Sequence, residues 1–454
     1  MATIYVNSGA AGAANGTSWT DAYLTLAAAL AGTVSAGDII KVHNAHSHTA
    51  NAGITLTWPN VAFSIICVDK DNSDALSTGA VEAIGNSNNS MSIVSNNSDT
   101  AVYVYGIQFD GANGAHSSGD IGIETGGNNA GRVNFVNCKF RILSTNSSAN
   151  MTIGQTAGGS QNRHSRLTFR NCEFTLPNRT GSPVITIGNC DATLINPTFV
   201  YAGASKPTTV FNFSNTSCVA KVEILDADIT GIDSGNIFDI TNFGSGNLLL
   251  RNVRYHASAT LVANSFPDGT ASITLINSDS GDTLNVFSYR NREGTLTQTG
   301  SIYASSGAEF AGSGIGWSIV TTALCDESNP FIVPILMRWQ DSAATITATV
   351  EFVHDSATSL HNRNMWSELS YTSSSSNTIG TNNSTRNSSP FLGSSSNHGA
   401  GAATWTGTGG FSNENKQKLS HATIAVSEKC LLELKVYVAA ASKTVYIDPL
   451  IRIA

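Results

Sequence analysis

Phe135-Val136-Asn137-Cys138-Lys139-Phe140 is followed by Phe169-Arg170-Asn171-Cys172-Glu173-Phe174 and then by Leu194-Ile195-Asn196-Pro197-Thr198-Phe199. All three have the form apolar-x-Asn-x-x-apolar. Looser copies are Ile224-Leu225-Asp226-Ala227-Asp228-Ile229, Leu250-Arg251-Asn252-Val253-Arg254-Tyr255 and Leu275-Ile276-Asn277-Ser278-Asp279-Ser280. The polar position falls at 137, 171, 196, 226, 252 and 277, so the successive steps are 34, 25, 30, 26 and 25 residues. An earlier copy, Val104-Tyr105-Gly106-Ile107-Gln108-Phe109, lies 31 residues upstream of the first and carries Gly in the turn.

A second strand precedes each copy. Ile185 to Asn189, Val210 to Asn215 and Ile237 to Asn242 alternate apolar and polar residues, the period of a half-buried strand, and each ends on a polar turn residue. Two phased strands per period, with turns at fixed offsets, are what a coil needs to stack on its neighbour. One coil cannot bury its own apolar side chains, whereas about ten stacked coils make a continuous core. The expected fold is therefore all-β, a right-handed parallel β-helix. Like residues then stack above like, so the recurring Asn is expected to form a ladder of side-chain amides at one corner.

Composition agrees. Only 12% of the 454 residues are charged, about half the usual quarter, and 41 are Gly. Gly and Asn tolerate the left-handed conformations of tight turns. The net charge of −8 and the scattered basic residues give no footprint for nucleic acid. No run of 18 apolar residues suggests a membrane span, and Met1-Ala2-Thr3-Ile4 does not open a secretory signal. The seven cysteines, Cys67, Cys138, Cys172, Cys190, Cys218, Cys325 and Cys430, are odd in number and form no CxxC pair. They read as buried free thiols of a chain made in a reducing cytoplasm.

A solenoid must cover its open ends. Residues 1–36 read as a cap: Thr3 to Asn7 as a strand, then a short helix starting at Ser18-Trp19-Thr20-Asp21 with Ser18 as N-cap and Ala22, Leu26 and Leu30 on one face. Residues 37–310 read as the β-helix, with Gly37-Asp38-Ile39-Ile40-Lys41-Val42 as its first rung. Residues 311–454 read as an antiparallel, jelly-roll-like β-sandwich. Longer alternating runs replace the repeat there, at Trp317 to Val320, Phe331 to Trp339, Ile346 to Val353, Leu432 to Val438 and Val445 to Ile453. A Ser-, Asn- and Gly-rich stretch between Tyr371 and Gly410 reads as a large loop.

The opening also carries a family resemblance. Ile4-Tyr5-Val6-Asn7, then Asn15 to Ala22, then Gly37 to Val42, resembles the cap and first rung of bacterial and phage parallel β-helix proteins. The following His43-Asn44-Ala45-His46-Ser47-His48 and Ile65-Ile66-Cys67-Val68 are similar to a subset common among phage virion proteins, the tailspike-like and capsid-decoration proteins. The resemblance spans about residues 1–300. It implies a homotrimer at the virion surface, made in the host cytoplasm, with the major capsid protein or a tail protein as partner. This fold carries lyases, hydrolases, adhesins and passive spikes alike, so the chemistry has to come from the residues.

Glycoside hydrolysis needs two carboxylates about 5 to 10 Å apart. Asp110, Asp120, Glu124, Glu173, Asp226, Asp228 and Asp239 are the acids on candidate strands. Glu173 and Asp228 share a phase, with Thr198 on the coil between them, which puts them about 10 Å apart. Solvated surface acids are the plainer reading. His43, His46 and His48 form the one histidine cluster; His46 and His48 would share a strand face, and the sequence identifies no third or fourth metal ligand. Trp366, Tyr371 and Trp405 flank the polar stretch and suit either sugar stacking or a core. No catalytic, cofactor or metal residue is therefore expected. The expected function is that of a non-enzymatic, trimeric spike decorating or cementing the capsid. The alternative is a tailspike or tail fibre that binds or depolymerises host surface polysaccharide. Because the cap begins within the first residues, attachment is expected through the C-terminal sandwich, a side face or an adaptor.

Overall fold

The computed structural model describes residues 1–95, 100–117, 120–125, 131–154, 165–181, 183–264, 266, 270–276, 278, 287–299, 316–326, 328–354, 365–373, 387–390, 417–426, 430–447 and 452–453. The chain divides into two units. The first comprises Met1–Ile273 and Asn277–Thr283, and the second Thr274–Ile276 and Leu284–Ala454. The division thus falls at 274–284, not near 310, because Phe287–Asn291 and Gly294–Thr299 already pair as an antiparallel hairpin.

The first unit is a three-sided parallel β-helix. On face A nine successive strands pair in parallel: Thr3–Val6, Ile39–His43, Phe63–Asp69, Ala101–Tyr105, Arg132–Val136, Ser165–Arg170, Cys190–Ile195, Asn215–Asp228 and Phe243–Arg254. Face B is a sheet of six strands, from Ser47–Ala50 through Ala80–Ile84, Ile107–Asp110, Lys139–Arg141 and Glu173–Leu176 to Thr198–Tyr201. Face C has eight strands, from Ile54–Trp58 to Thr260–Ala263. From Ile39 to Phe213 each coil visits A, B and C in turn, whereas Asn215–Asp228 and Phe243–Arg254 run on through the corner and are followed directly by face C strands. The sequence suggests two strands per coil; the structure has three, because the Asn motif spans a corner, with Phe135 on a face A strand that Val136 closes and Phe140 lying on face B.

That corner has a backbone cause. Asn137, Asn171, Asn196, Asp226 and Asn252 all adopt positive φ, between 49° and 54°. The left-handed region costs most residues about 1–2 kcal/mol, and Asn and Asp pay less because their short polar side chains bond locally. Gly106 takes the same place with φ 74°, and a Cβ there would lie 2.4 Å from the Ser77 carbonyl oxygen. One left-handed residue turns the chain from face A to face B without breaking the ladder: the Asn137, Asn171 and Asn196 amides still donate to Arg170, Ile195 and Leu225 one coil on. The side chains bond in pairs. Asn196 Nδ2 donates to Asn171 Oδ1 at 3.0 Å, Asn252 Nδ2 to Asp226 Oδ1 at 2.7 Å, and Asn137 Nδ2 to the Tyr105 hydroxyl at 3.1 Å. Asn277 lies outside the described residues.

Register makes like stack on like inside the coil. Phe109, Phe140, Phe174 and Phe199 are register partners on face B, with ring centroids 5.5, 5.5 and 5.3 Å apart. Phe135 stacks on Phe169 at 5.2 Å and Phe213 on Phe243 at 4.0 Å. Such pairs add about 0.5–1.5 kcal/mol each beyond the area they bury. All seven cysteines are buried free thiols, as the sequence suggests; burial pushes the Cys67 thiol up to about 11, which keeps it protonated and inert.

At the N-terminal end the structure departs from expectation. The helix is Leu26–Ala31, with Thr25 as N-cap accepting from the Ala28 amide, so Ser18 does not cap it. Ser18 instead bonds Asp21 in the preceding turn. Leu26 and Leu30 are buried as expected, while Ala22, also buried, precedes the helix. Thr3–Val6 pairs in register with Ile39–His43 and is itself the first rung of face A.

In the second unit Gly316–Thr321 and Ala344–His354 both pair antiparallel with Thr444–Ile447. Phe331–Gln340, Cys430–Val438, Met365–Ser373 and Asn387–Pro390 form a four-stranded antiparallel sheet. Cys430–Val438 alternates strictly between buried and half-buried, and Ile319, Ile346, Val350, Leu369 and Leu434 share one core.

If backbone conformation selects Asn at the corner, Asn171→Gly will be more stable than Asn171→Ala by about 1 kcal/mol in urea unfolding, since both lose the side-chain bond and only Ala bears the left-handed cost. Equal midpoints would show that the amide pair, not φ, is what matters.

Candidate functional site

The acids singled out in the sequence are spread along the coils, and each described one is held by a neighbour. Glu173 bonds Lys139 at 3.1 Å, its register partner one coil back. Thr198 sits opposite Glu173 on the next coil, and Asp228 belongs to the coil beyond, as the spacing suggests. Asp228 Oδ1 accepts from the Thr230 hydroxyl and amide, at 2.5 and 3.0 Å, and Arg254 lies 3.8 Å away. Those bonds, the hydroxyl first, hold its pKa below the usual carboxylate value. Asp226 takes the Asn252 amide, with Arg251 at 3.8 Å. Asp239 is a turn anchor: burial opposes its ionisation, and bonds from Asn264 and Thr241 outweigh that.

Asp110 and Asp120 differ. Burial raises the pKa of both. Asp110 faces Arg141 at 3.4 Å and Gln108 Nε2 at 3.0 Å, and its Oδ1 is buried without a partner. Asp120 accepts from the Asn150 amide at 2.7 Å. Asp110 ends the face B strand Ile107–Asp110 and Asp120 immediately precedes the face C strand Ile121–Thr125, and each carboxylate is taken up by partners of its own. Tyr371 belongs to the core of the second unit and offers no face to a sugar. Trp405 and the side chains of Glu124 and Trp366 lie outside the described part of the structure.

The dense polar constellation is elsewhere. His46 Nε2 lies 3.1 Å from Glu82 Oε1, His48 Nδ1 lies 2.7 Å from Glu82 Oε2, and the Leu26 amide donates to Glu82 Oε1 at 2.8 Å. Glu82 is 1% exposed and His46 likewise 1%. Glu82 occupies the inward column of face B, in register with His48 on one side and Phe109 on the other. It therefore stands where the stacked Phe column ends. The Ser8 amide donates to His46 Nδ1 at 2.9 Å, which places the ring proton on Nε2, facing Glu82. The sequence groups His46 with His48 on one strand face, as found, but does not point to Glu82 as their partner. The available signal was a lone acid inside the apolar run Ala80-Val81-Glu82-Ala83-Ile84.

The electrostatics fit a lock between the first coils and the helix. Burial opposes ionisation of Glu82, and the bonds from His46, His48 and Leu26 together outweigh it, leaving its pKa below the ordinary 4.5. The bond to Glu82 holds His48 above its ordinary 6.5, against partial desolvation.

His43 is separate from this triad. It closes the face A strand Ile39–His43, packs its ring against Trp19 at 5.9 Å, and comes together with Asp69 and Asp71 rather than with His46 and His48.

No family model and no curated protein matches the sequence. Among solved structures the chain is similar to the enzymatically active domain of tailspike protein 4 of bacteriophage CBA120, at 10% identity and a TM-score of 0.23. The match covers 92% of this chain and 64% of that one, so the chain spans less than two thirds of that domain.

Removing Glu82 strands two imidazoles and a helix amide. Glu82→Ala is expected to destabilise the first unit by about 3–5 kcal/mol, read as a shift of its urea midpoint. The sign of the pH dependence follows from the two shifts. The His48 contribution is complete below 6.5 and is lost as pH rises through its raised folded value, while that of Glu82 is present above 4.5 and is lost as pH falls through its lowered one. His48→Gln should therefore flatten the loss of stability as pH rises above 6.5. An unchanged slope would remove the ion pair from the account.

Proposed function

We propose that this chain is a bacteriophage virion structural protein, a homotrimeric β-helix spike that decorates the capsid surface and clamps neighbouring capsid subunits against internal pressure. The observation that carries the reading is where the surface acids go. In the described coils the outward carboxylates stitch one coil to the next, Glu173 to Lys139, Asp226 to Arg251 and Asp228 to Arg254, or anchor turns, as Asp239 does. A hydrolytic groove would instead hold two acids of separated pKa around a substrate. The resemblance of Ile4–Asn7, Gly37–Val42 and the His43–His48 segment to phage virion β-helices supplies the setting.

The trimer has a physical argument of its own. One outward column of face A runs in register through Tyr5, Lys41, Ile66, Tyr105, Val136, Arg170, Ile195, Leu225 and Arg251. Five of its nine members are Ile66, Tyr105, Val136, Ile195 and Leu225, and all five are half-buried in the single chain. An outward column that is apolar at these five positions, with Arg170 between Val136 and Ile195, suits contact with identical copies about a three-fold axis. The second unit, read as a jelly-roll-like β-sandwich, is the proposed attachment module.

Multi-angle light scattering of the purified chain is expected to give three times the 47.4 kDa chain mass. A monomer mass would overturn the trimer. Incubation with host capsular polysaccharide is expected to release no oligosaccharide, and release would replace decoration by the tailspike reading.

A further inference from the structure

We propose that His43, Asp69 and Asp71 form a binding site for a divalent transition-metal ion, for which zinc is the probe. The three residues come from adjacent coils. His43 ends the strand Ile39–His43, Asp69 ends Phe63–Asp69, and these strands pair in register with His43 opposite Val68. Asp71 follows in the turn, where its amide donates to Asp69 Oδ1 at 3.0 Å. One ligand atom from each of the three lies within 4.8 Å of the other two.

The histidine is what separates this corner from an ordinary acidic turn. His43 is 8% exposed, and its Nδ1 is buried with no hydrogen-bond partner. A buried ring nitrogen without a partner is an unmet demand, since buried polar atoms are nearly always paired, and a ring nitrogen of the same histidine lies within 4.8 Å of a carboxylate oxygen of Asp69 and of Asp71. A metal takes the neutral imidazole, and the His43 ring is already almost wholly withdrawn from water. Its orientation is fixed from outside: Trp19 packs edge-on at 5.9 Å, and the Trp19 indole donates to Asp74, which also takes Lys41 at 2.9 Å.

The donor set selects the ion. Imidazole favours zinc, copper, iron and nickel, and carboxylate oxygens also serve manganese, so one imidazole with two carboxylates suits a borderline first-row ion better than calcium or magnesium. A metal about 2.1 Å from each ligand atom would draw the three together, and three protein ligands leave a further position for water. Lys70 is the internal competitor. Its Nζ lies 2.5 Å from Asp71 Oδ1, the position a cation would otherwise take, and Asp71 keeps Oδ2 free of that ion pair. Binding would displace the ammonium or use the second oxygen. The site is distinct from the Glu82 triad, which is saturated by its own hydrogen bonds.

The test is isothermal titration of the full chain with zinc chloride, beside melting curves with zinc and with EDTA. One equivalent of zinc per chain should bind and raise the melting temperature, and EDTA should reverse the rise. Asp71 is well exposed, so Asp71→Asn keeps the fold and should weaken binding by about tenfold or more. His43→Gln should abolish binding. Lys70→Gln should tighten it, an effect that no merely structural role for the corner produces. No zinc binding to the wild-type chain, or the same affinity in the Asp71→Asn and His43→Gln variants, would overturn the proposal.

Discussion

The structure depends on one recurrent backbone event, a single residue at φ near +50° between face A and face B. An extended strand cannot turn so sharply while keeping its amides in the parallel ladder, and the left-handed residue does both. Once that corner repeats in phase, the rest follows mechanically. Each coil lies over the last, equivalent positions fall into register, and side chains form columns instead of isolated contacts. The Phe109–Phe140–Phe174–Phe199 stack, the cross-coil ion pairs on face B and the apolar stripe on face A are three consequences of one register.

Columns create a problem at their ends, where an apolar stack would face water. The first unit solves it at the N-terminal side by changing the chemistry of the column. Where Phe109 ends the stack, Glu82 and His48 take the same inward track, and the short helix Leu26–Ala31 donates its first amide to the carboxylate. A buried acid is tolerated there because three groups converge on it: the His46 imidazole, the His48 imidazole with its compensating charge, and the Leu26 backbone amide. The same segment that caps the solenoid thus concentrates its titratable groups, and that concentration is why both the pH-sensitive lock and the proposed metal corner sit in the first coils.

Much of the fold is legible in the sequence because the corner is chemically conspicuous. Asn137, Asn171, Asn196, Asp226 and Asn252 mark it directly, and their spacing reports the coil length. The third face is less visible, since Lys139–Arg141 and its neighbours are only three or four residues long, too short to show a period of their own. The helix boundary is misread because Ser18 and Thr25 are both good N-caps, and burial of Leu26 against the first coils, not capping propensity, decides between them. The polar constellations are hardest to see. Glu82 lies 36 residues from His46, and Asp69 lies 26 residues from His43, so only stacking brings them together.

The account rests on in-register stacking of adjacent coils. Nitroxide labels at the outward positions Asn134, Thr168 and Thr193, which are successive register partners, test it directly. Three labels about 4.8 Å apart in a row should give an exchange-narrowed single-line EPR spectrum. Three separate, unbroadened nitroxide spectra would contradict the stacking, and with it the columns, the end lock and the face A stripe.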